Sequence, residues 1–268
     1  MIYEATAYSK TAPKSVGPLR FAGGGSKAIN FLTNDGGVLT LHHPRGGIGP
    51  SGWSLTGQAF RQLQKRVNQG ELISLDDQGI NAGMLRINRG KQEVLLKGLL
   101  AKGLWADWLQ LFLSKQHRNT GLYGSLADIV TQPCHSQFDE WFENLNLWRK
   151  GLSPEWTHLI GAGPGLTPSH DDMLVGIAFG AWCTEHTRNM ASALIPVDTP
   201  FHQLTTAVSA SYLSQSVFGC FSQSLLNLNA DNYAQFERSA ADFLNHGHYS
   251  GADTLLGLWL FHKYIATS

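Results

Sequence analysis

The sequence predicts an α+β protein, with a small, mostly antiparallel β unit at the N-terminus followed by a larger α-helical unit. Three observations carry this. Short apolar runs separated by glycine-rich turns fill the first third of the chain. From about Val94 the apolar residues fall at helical spacing instead. At 268 residues, the chain is long enough to fill two modest cores. The expected division is residues 1–95 for the β-rich part and 96–268 for the helical part.

Taken in order, Leu19 to Gly23, Lys27 to Leu32 and Val38 to His43 read as strands, and Asn34-Asp-Gly-Gly37 is a hairpin signal between the last two. Ser54 to Asn68 reads as a helix with Leu55, Phe60 and Leu63 near one face, and Glu71 to Leu75 and Gly83 to Asn88 read as further strands. Leu95, Leu99, Leu104, Leu109 and Leu113 are roughly helix-spaced, weakened by Gly98 and Gly103. Ser125 to Val130 is a short helical candidate. Ser136 to Leu147 is another, opened by the capping-box spelling Ser-Gln-Phe-Asp and striped with Phe138, Trp141, Phe142 and Leu145. The stretch 168–187 is apolar nearly all round and should be a central buried helix. Small residues dominate 201–228, which favours close helix packing. Tyr233, Phe236, Ala240 and Phe243 mark one more amphipathic helix, and Leu255, Leu256, Trp259, Leu260 and Tyr264 close the chain.

Composition narrows the function classes. Lys+Arg and Asp+Glu are equal at 20 each, so no charge excess points to nucleic acid or a membrane surface. The longest apolar run, Met173 to Cys183, is too short to span a bilayer, and the N-terminus lacks the apolar stretch of a secretion signal. A soluble, cytoplasmic protein is expected. Cys134, Cys183 and Cys220 are scattered and form no C-x-x-C pair, which argues against a disulfide framework or a zinc site.

The chemistry-bearing pattern is a repeated spelling. Ser169-His-Asp-Asp172-Met-Leu174-Val-Gly176 and Ser250-Gly-Ala-Asp253-Thr-Leu255-Leu-Gly257 both read S-x-x-D-x-L-x-G. Ser followed three residues later by an acid marks a capped helix start, and a helix start offers amide N–H groups and positive dipole to an anion. If the two starts converge, Asp171, Asp172 and Asp253 become candidate proton-handling groups, with His248 beside them. Gly163, Gly165, Thr167, Ser169, His170, Ser250 and Gly251 become candidate anion contacts. Either Thr167 or Ser169 can be the N-cap. The run Gly161-Ala-Gly-Pro-Gly-Leu-Thr-Pro168 is not G-x-G-x-x-G and lacks the Gly-Lys-Ser/Thr of a phosphate loop, so nucleotide binding is rejected. Two glycine-rich N-terminal loops add Ser26, Lys27 and Arg45 as candidate anion ligands. No metal-ligand set stands out; a magnesium ion on the acids is the one cofactor considered.

Gly163-Pro-Gly-Leu-Thr-Pro-Ser-x-Asp-Asp172 with the later Gly247-His-Tyr-Ser-Gly-Ala-Asp253 resembles the AllH-like family, whose named representative is a subunit of oxamate carbamoyltransferase. A softer similarity runs through Gly25-Ser-Lys27, Asn30-Phe31 and Gly49-Pro-Ser-Gly-Trp53. The resemblance implies a chain acting with other carbamoyltransferase subunits on small anions (oxamate, oxalurate, phosphate, carbamoyl phosphate) in purine breakdown. His170 stands where the family usually has Gly, and Tyr249 where Thr is more usual.

Overall fold

Residues 1–101, 105–196 and 200–267 are described by the computed structural model of the chain. Gly103 and Leu104 of the expected leucine-spaced helix lie outside them. The chain divides into two units: Met1–Leu96 with Cys220–Ser224, and Lys97–Gly219 with Leu225–Ser268.

The first unit contains β1 (Ile2–Ser9), β2 (Gly17–Gly24), β3 (Ala28–Leu32), β4 (Val38–His42), β5 (Gly52–Leu55), helix α1 (Gly57–Asn68), β6 (Ile73–Leu75), β7 (Gly79–Ala82), β8 (Leu85–Asn88) and β9 (Glu93–Val94). The strands are ordered β5-β4-β3-β2-β6-β7-β8-β1, and β1 pairs back onto β5 to close the ring. This corrects the expected small β unit: the strands close into an eight-strand barrel whose joins are mostly antiparallel, as expected, but include two parallel ones. β1 runs parallel to β8 and β9, and β4 runs parallel to β5. Closure removes both open edges, whose unpaired backbone would otherwise face water. The strands that close it carry weak local signals. β1 buries only Ala5 and Ser9, so no apolar alternation marks it. β5 is short and hidden in what read as the head of the following helix.

That helix begins later than expected, at Gly57, because Thr56 takes the N-cap and its hydroxyl accepts the Ala59 N–H at 3.2 Å. α1 buries Ala59, Phe60 and Leu63 in the same core as Phe31, Leu39, Leu41, Trp53, Ile80 and Ile87. Five residues from late in the chain join this unit. The Phe221 N–H donates to the Leu96 carbonyl at 2.9 Å, and that of Gln223 to Ile48 at 2.8 Å.

The second unit holds α2 (Trp105–Leu113), α3 (Leu126–Thr131), α4 (Asp139–Arg149), α5 (Ser169–Cys183), α6 (Ala207–Val217), α7 (Gln223–Leu226), α8 (Tyr233–Leu244) and α9 (Ser250–Thr267); of α7, Gln223 and Ser224 cluster with the barrel. The small-residue run 201–228 is not one helix. Gly219, at φ +70°, breaks it where Trp182 packs so close that a Cβ would collide. α5 is buried on nearly every side, as its all-round apolarity predicts.

α5 and α9 meet at the glycines of the repeated motif. A Cβ on Gly176 would strike the Thr254 carbonyl oxygen, and one on Gly257 would strike that of Met173. The contacts are reciprocal, since Thr254 and Met173 hold the same place in the two motifs. Further along, Gly180 faces Phe261. The two helices therefore run in the same direction, and their first turns lie together. Among the described residues no helix is long and apolar enough to cross a membrane.

Candidate functional site

Adjacent residues on a helix point about 100° apart, and this separates Asp171 from Asp172. Asp171 turns into a socket of donors. Its carboxylate accepts the Gly161 N–H at 2.7 Å, the Ser209 hydroxyl at 2.6 Å and the Thr205 hydroxyl. At 1% exposed, it pins the 161–168 loop and the start of α6 onto α5. Both carboxylate oxygens are engaged by these donors, so the side chain ties three segments of the chain together.

Asp172 turns the other way, toward α9. Its carboxyl faces the hydroxyls of Ser250 and Thr167, while the Asp253 carboxyl faces the hydroxyl of Ser169 and accepts the Gly121 N–H at 3.0 Å. Each motif's acid thus reaches the other motif's serine. The junction is enclosed: Asp172 is 7% exposed, Ser169 1% and Asp253 0%. Burial drives the Asp172 carboxyl well above the usual carboxylate range, and the Asp253 and Asp171 charges push in the same direction. Burial also raises Asp253. Three junction oxygens, Ser169 Oγ, Asp172 Oδ2 and Asp253 Oδ2, are buried without a well-formed hydrogen bond. Native proteins rarely leave such atoms without good bonds; the Ser169 hydroxyl and the Asp253 carboxyl face each other but are poorly aligned, so the junction holds hydrogen-bonding capacity that its own side chains use incompletely.

The helix-start amides are more occupied than the motif suggests. The His170 N–H donates to the Ala162 carbonyl at 3.0 Å, and those of Asp171 and Asp172 to Pro168. In α9 the Gly251 N–H donates to His246 and that of Asp253 to Tyr249. The positive dipole ends remain, but side-chain oxygens dominate the junction.

His170 sits beside it. Its Nδ1 lies 3.1 Å from the Leu159 carbonyl, which can only accept, so Nδ1 carries the proton. Nε2 then accepts the Tyr123 hydroxyl at 2.8 Å. Burial lowers the His170 pKa, favouring this neutral form, and raises that of Tyr123. The two rings stack, and Trp141 meets His170 edge-on.

The other candidate residues are dispersed. Gly163 and Gly165 lie on the exposed loop, and a Cβ on Gly163 would press on Ser169. Gly251 admits the backbone of α8, since a Cβ there would strike the Phe243 carbonyl oxygen. His248 is exposed, with its ring against Tyr249. Ser26, Lys27 and Arg45 belong to the barrel unit; Ser26 and Arg45 are exposed. Among the described residues no group of three or more His, Cys, Asp or Glu is arranged to hold a metal ion. The two junction carboxyls and the Ser169 hydroxyl are the oxygens that a magnesium ion would have to use.

Sequence reasoning missed Gly121, Tyr123, Thr205 and Tyr212. Tyr212 lies near Asp172, and burial together with that carboxylate pushes its hydroxyl up to about 12. The turn-rich spelling Asn119-Thr-Gly-Leu-Tyr-Gly-Ser125 is the only local hint of the first two.

Residues 159–262, which include α5, α6, α8 and most of α9, match the family model described as oxamate carbamoyltransferase subunit AllH. The N-terminal similarity at Gly25–Lys27 and Gly49–Trp53 lies outside the matched segment. No solved structure matches the chain.

Proposed function

We propose, from the match of residues 159–262 to the oxamate carbamoyltransferase subunit AllH family model, that this chain is a cytoplasmic subunit of a carbamoyltransferase and that the α5–α9 junction binds the carbamoyl-bearing metabolite. The observation that carries the reading is the set of three unmatched buried oxygens where the two motifs meet. A carbamoyl group is planar and rich in N–H donors, which these oxygens are able to accept. The two helix dipoles, aimed at the same place, favour the negative charge that develops on the carbamoyl oxygen.

In the direction from oxalurate and phosphate, phosphate attacks the carbamoyl carbon, the C–N bond to oxamate breaks, and the departing nitrogen needs a proton. Asp172, whose protonated form burial favours, is the donor that suits this step, and the reverse reaction returns the proton to it. Asp253 holds the carbamoyl N–H, with Ser169 beside it. Asp171 keeps the 161–168 loop in place and takes no part in the transfer. Other subunits, and the oxamate and allantoin context, enter this reading through the family alone.

Titration calorimetry of the purified chain with carbamoyl phosphate, oxamate and phosphate, with and without magnesium, tests it. Binding that disappears in Asp172→Asn and Asp253→Asn, with the fold retained, is the expected result. A second reading is favoured by the enclosure of the junction, namely that the chain is a non-catalytic subunit whose motifs only lock two helices together. Wild-type activity of the assembled enzyme carrying Asp172→Asn would establish that alternative and discard the first.

A further inference from the structure

Under the proposed function a ligand must reach oxygens that the structure encloses, and one short loop lies against two of them, Ser169 Oγ and Asp253 Oδ2, with Gly163 on the other side of Ser169. Asn119–Ser125 folds back on itself through the Asn119–Ser125 bridge. Thr120 braces it internally: its N–H and its hydroxyl both donate to the Gly124 carbonyl, at 2.8 and 3.0 Å, and the hydroxyl accepts the Tyr123 N–H at 2.9 Å. The loop is therefore a self-contained turn able to move as a body. Its tip is exposed at Leu122, and Gly124, at φ +89°, has open space around it.

Two points seat this turn on the junction. The Gly121 N–H reaches Asp253 Oδ1, and Gly121 presses so closely on Ser169 that a Cβ would collide with Oγ and lie 3.3 Å from Asp253 Oδ2. The Tyr123 hydroxyl is held by His170 Nε2, with the Tyr123 ring against Phe138. Two of the three unmatched oxygens lie directly under Gly121.

We propose that Asn119–Ser125 is a lid over the Asp172–Asp253 junction, with Gly121 as its seat and the Tyr123–His170 hydrogen bond as its latch. Tyr123 and Gly121 are access-determining positioning residues; neither touches the reacting atoms. The lid rests on the reading of the junction as a ligand site, but its motion can be measured without any ligand.

Hydrogen exchange on the full chain separates the two. Tyr123→Phe keeps the ring contacts and removes the latch. Amides of residues 119–125 and of the first turns of α5 and α9 should exchange roughly five- to tenfold faster, the equivalent of one net hydrogen bond, with the remainder unchanged. His170→Leu removes the latch together with the Leu159 bond and the ring contacts, so it should open residues 119–125 at least as far as Tyr123→Phe, and adding Tyr123→Phe to it should change little more, because the shared bond is already gone. Gly121→Ala, which cannot seat, should leave residues 119–125 exchanging faster still. Unchanged exchange in Tyr123→Phe, or acceleration spread evenly through the chain, overturns the lid. Carbamoyl phosphate or oxamate should slow exchange of 119–125 in the wild type. Local opening in the variants with no slowing by carbamoyl phosphate, oxamate or phosphate supports the lid and removes the carbamoyl reading instead.

Discussion

Asp171 and Asp172 are neighbours in the chain and opposites in surroundings. The Asp171 socket supplies donors from Gly161, Thr205 and Ser209, while the Asp172–Asp253 junction leaves one oxygen of each carboxyl unmatched. Both are buried on the same helix turn, so depth does not distinguish them. What differs is how completely the chain itself satisfies the charge. A carboxylate matched by its own protein fixes structure, and one left short keeps a raised pKa and capacity for something else.

Removing the socket acid should have the largest effect. Asp171→Ala strands the buried Ser209 hydroxyl and the half-buried Gly161 N–H and Thr205 hydroxyl and should cost about 3–5 kcal/mol, read as a lowered urea midpoint. A loss below about 1 kcal/mol would erase the contrast between the two acids.

Next come the motif glycines, which set the distance between the helix starts. Gly176→Ala or Gly257→Ala forces the crossing apart and should cost about 1–3 kcal/mol. The two sites share one contact region, so the double variant should fall short of the sum. Simple additivity by chemical denaturation would mean that the helices adjust separately and that the junction is not tightly held.

At the junction the stability effect should be smaller and of opposite sign. The folded-state pKa of Asp172 lies above its ordinary value of 3.8. Between those two values the folded chain holds a proton that the unfolded chain has released, so wild-type stability falls as pH rises through that window. Asp172→Asn cannot titrate. Its melting temperature should match the wild type near about pH 4 and equal or exceed it near about pH 8. Destabilisation at both values would make Asp172 a second structural acid.

The smallest effect is expected on the barrel. Arg45 is exposed, so Arg45→Ala should change stability by less than about 0.5 kcal/mol. Phosphate binding by calorimetry would then show whether that loop takes part at all; an unchanged affinity confines the ligand to the helical unit.

Much of the helical unit was legible in the sequence. The buried character of α5 and the stripe of Phe138, Trp141 and Leu145 follow from spacing a few positions apart; α5 and α9 do begin at the motif serines, but Pro168 is the N-cap of α5 and no side chain caps it, so neither Thr167 nor Ser169 plays the expected capping part. The motif glycines were visible, although not their purpose as a crossing point. The barrel was read only in part. Its hairpins announce themselves through turn residues, but β1 and β5, which close it, carry no alternation.

Local spelling determined where α5 and α9 begin, that α5 is buried, and that two distant segments share one pattern, because those properties depend on residues within one or two turns. Tertiary structure alone decided that β1 meets β5, that Asp171 finds Thr205 and Ser209 while Asp172 finds Ser250, and that Gly121 settles over Ser169. Those partners are brought together only when the whole chain packs, and the choice between them depends on which hydrogen bonds and apolar contacts remain available at that stage.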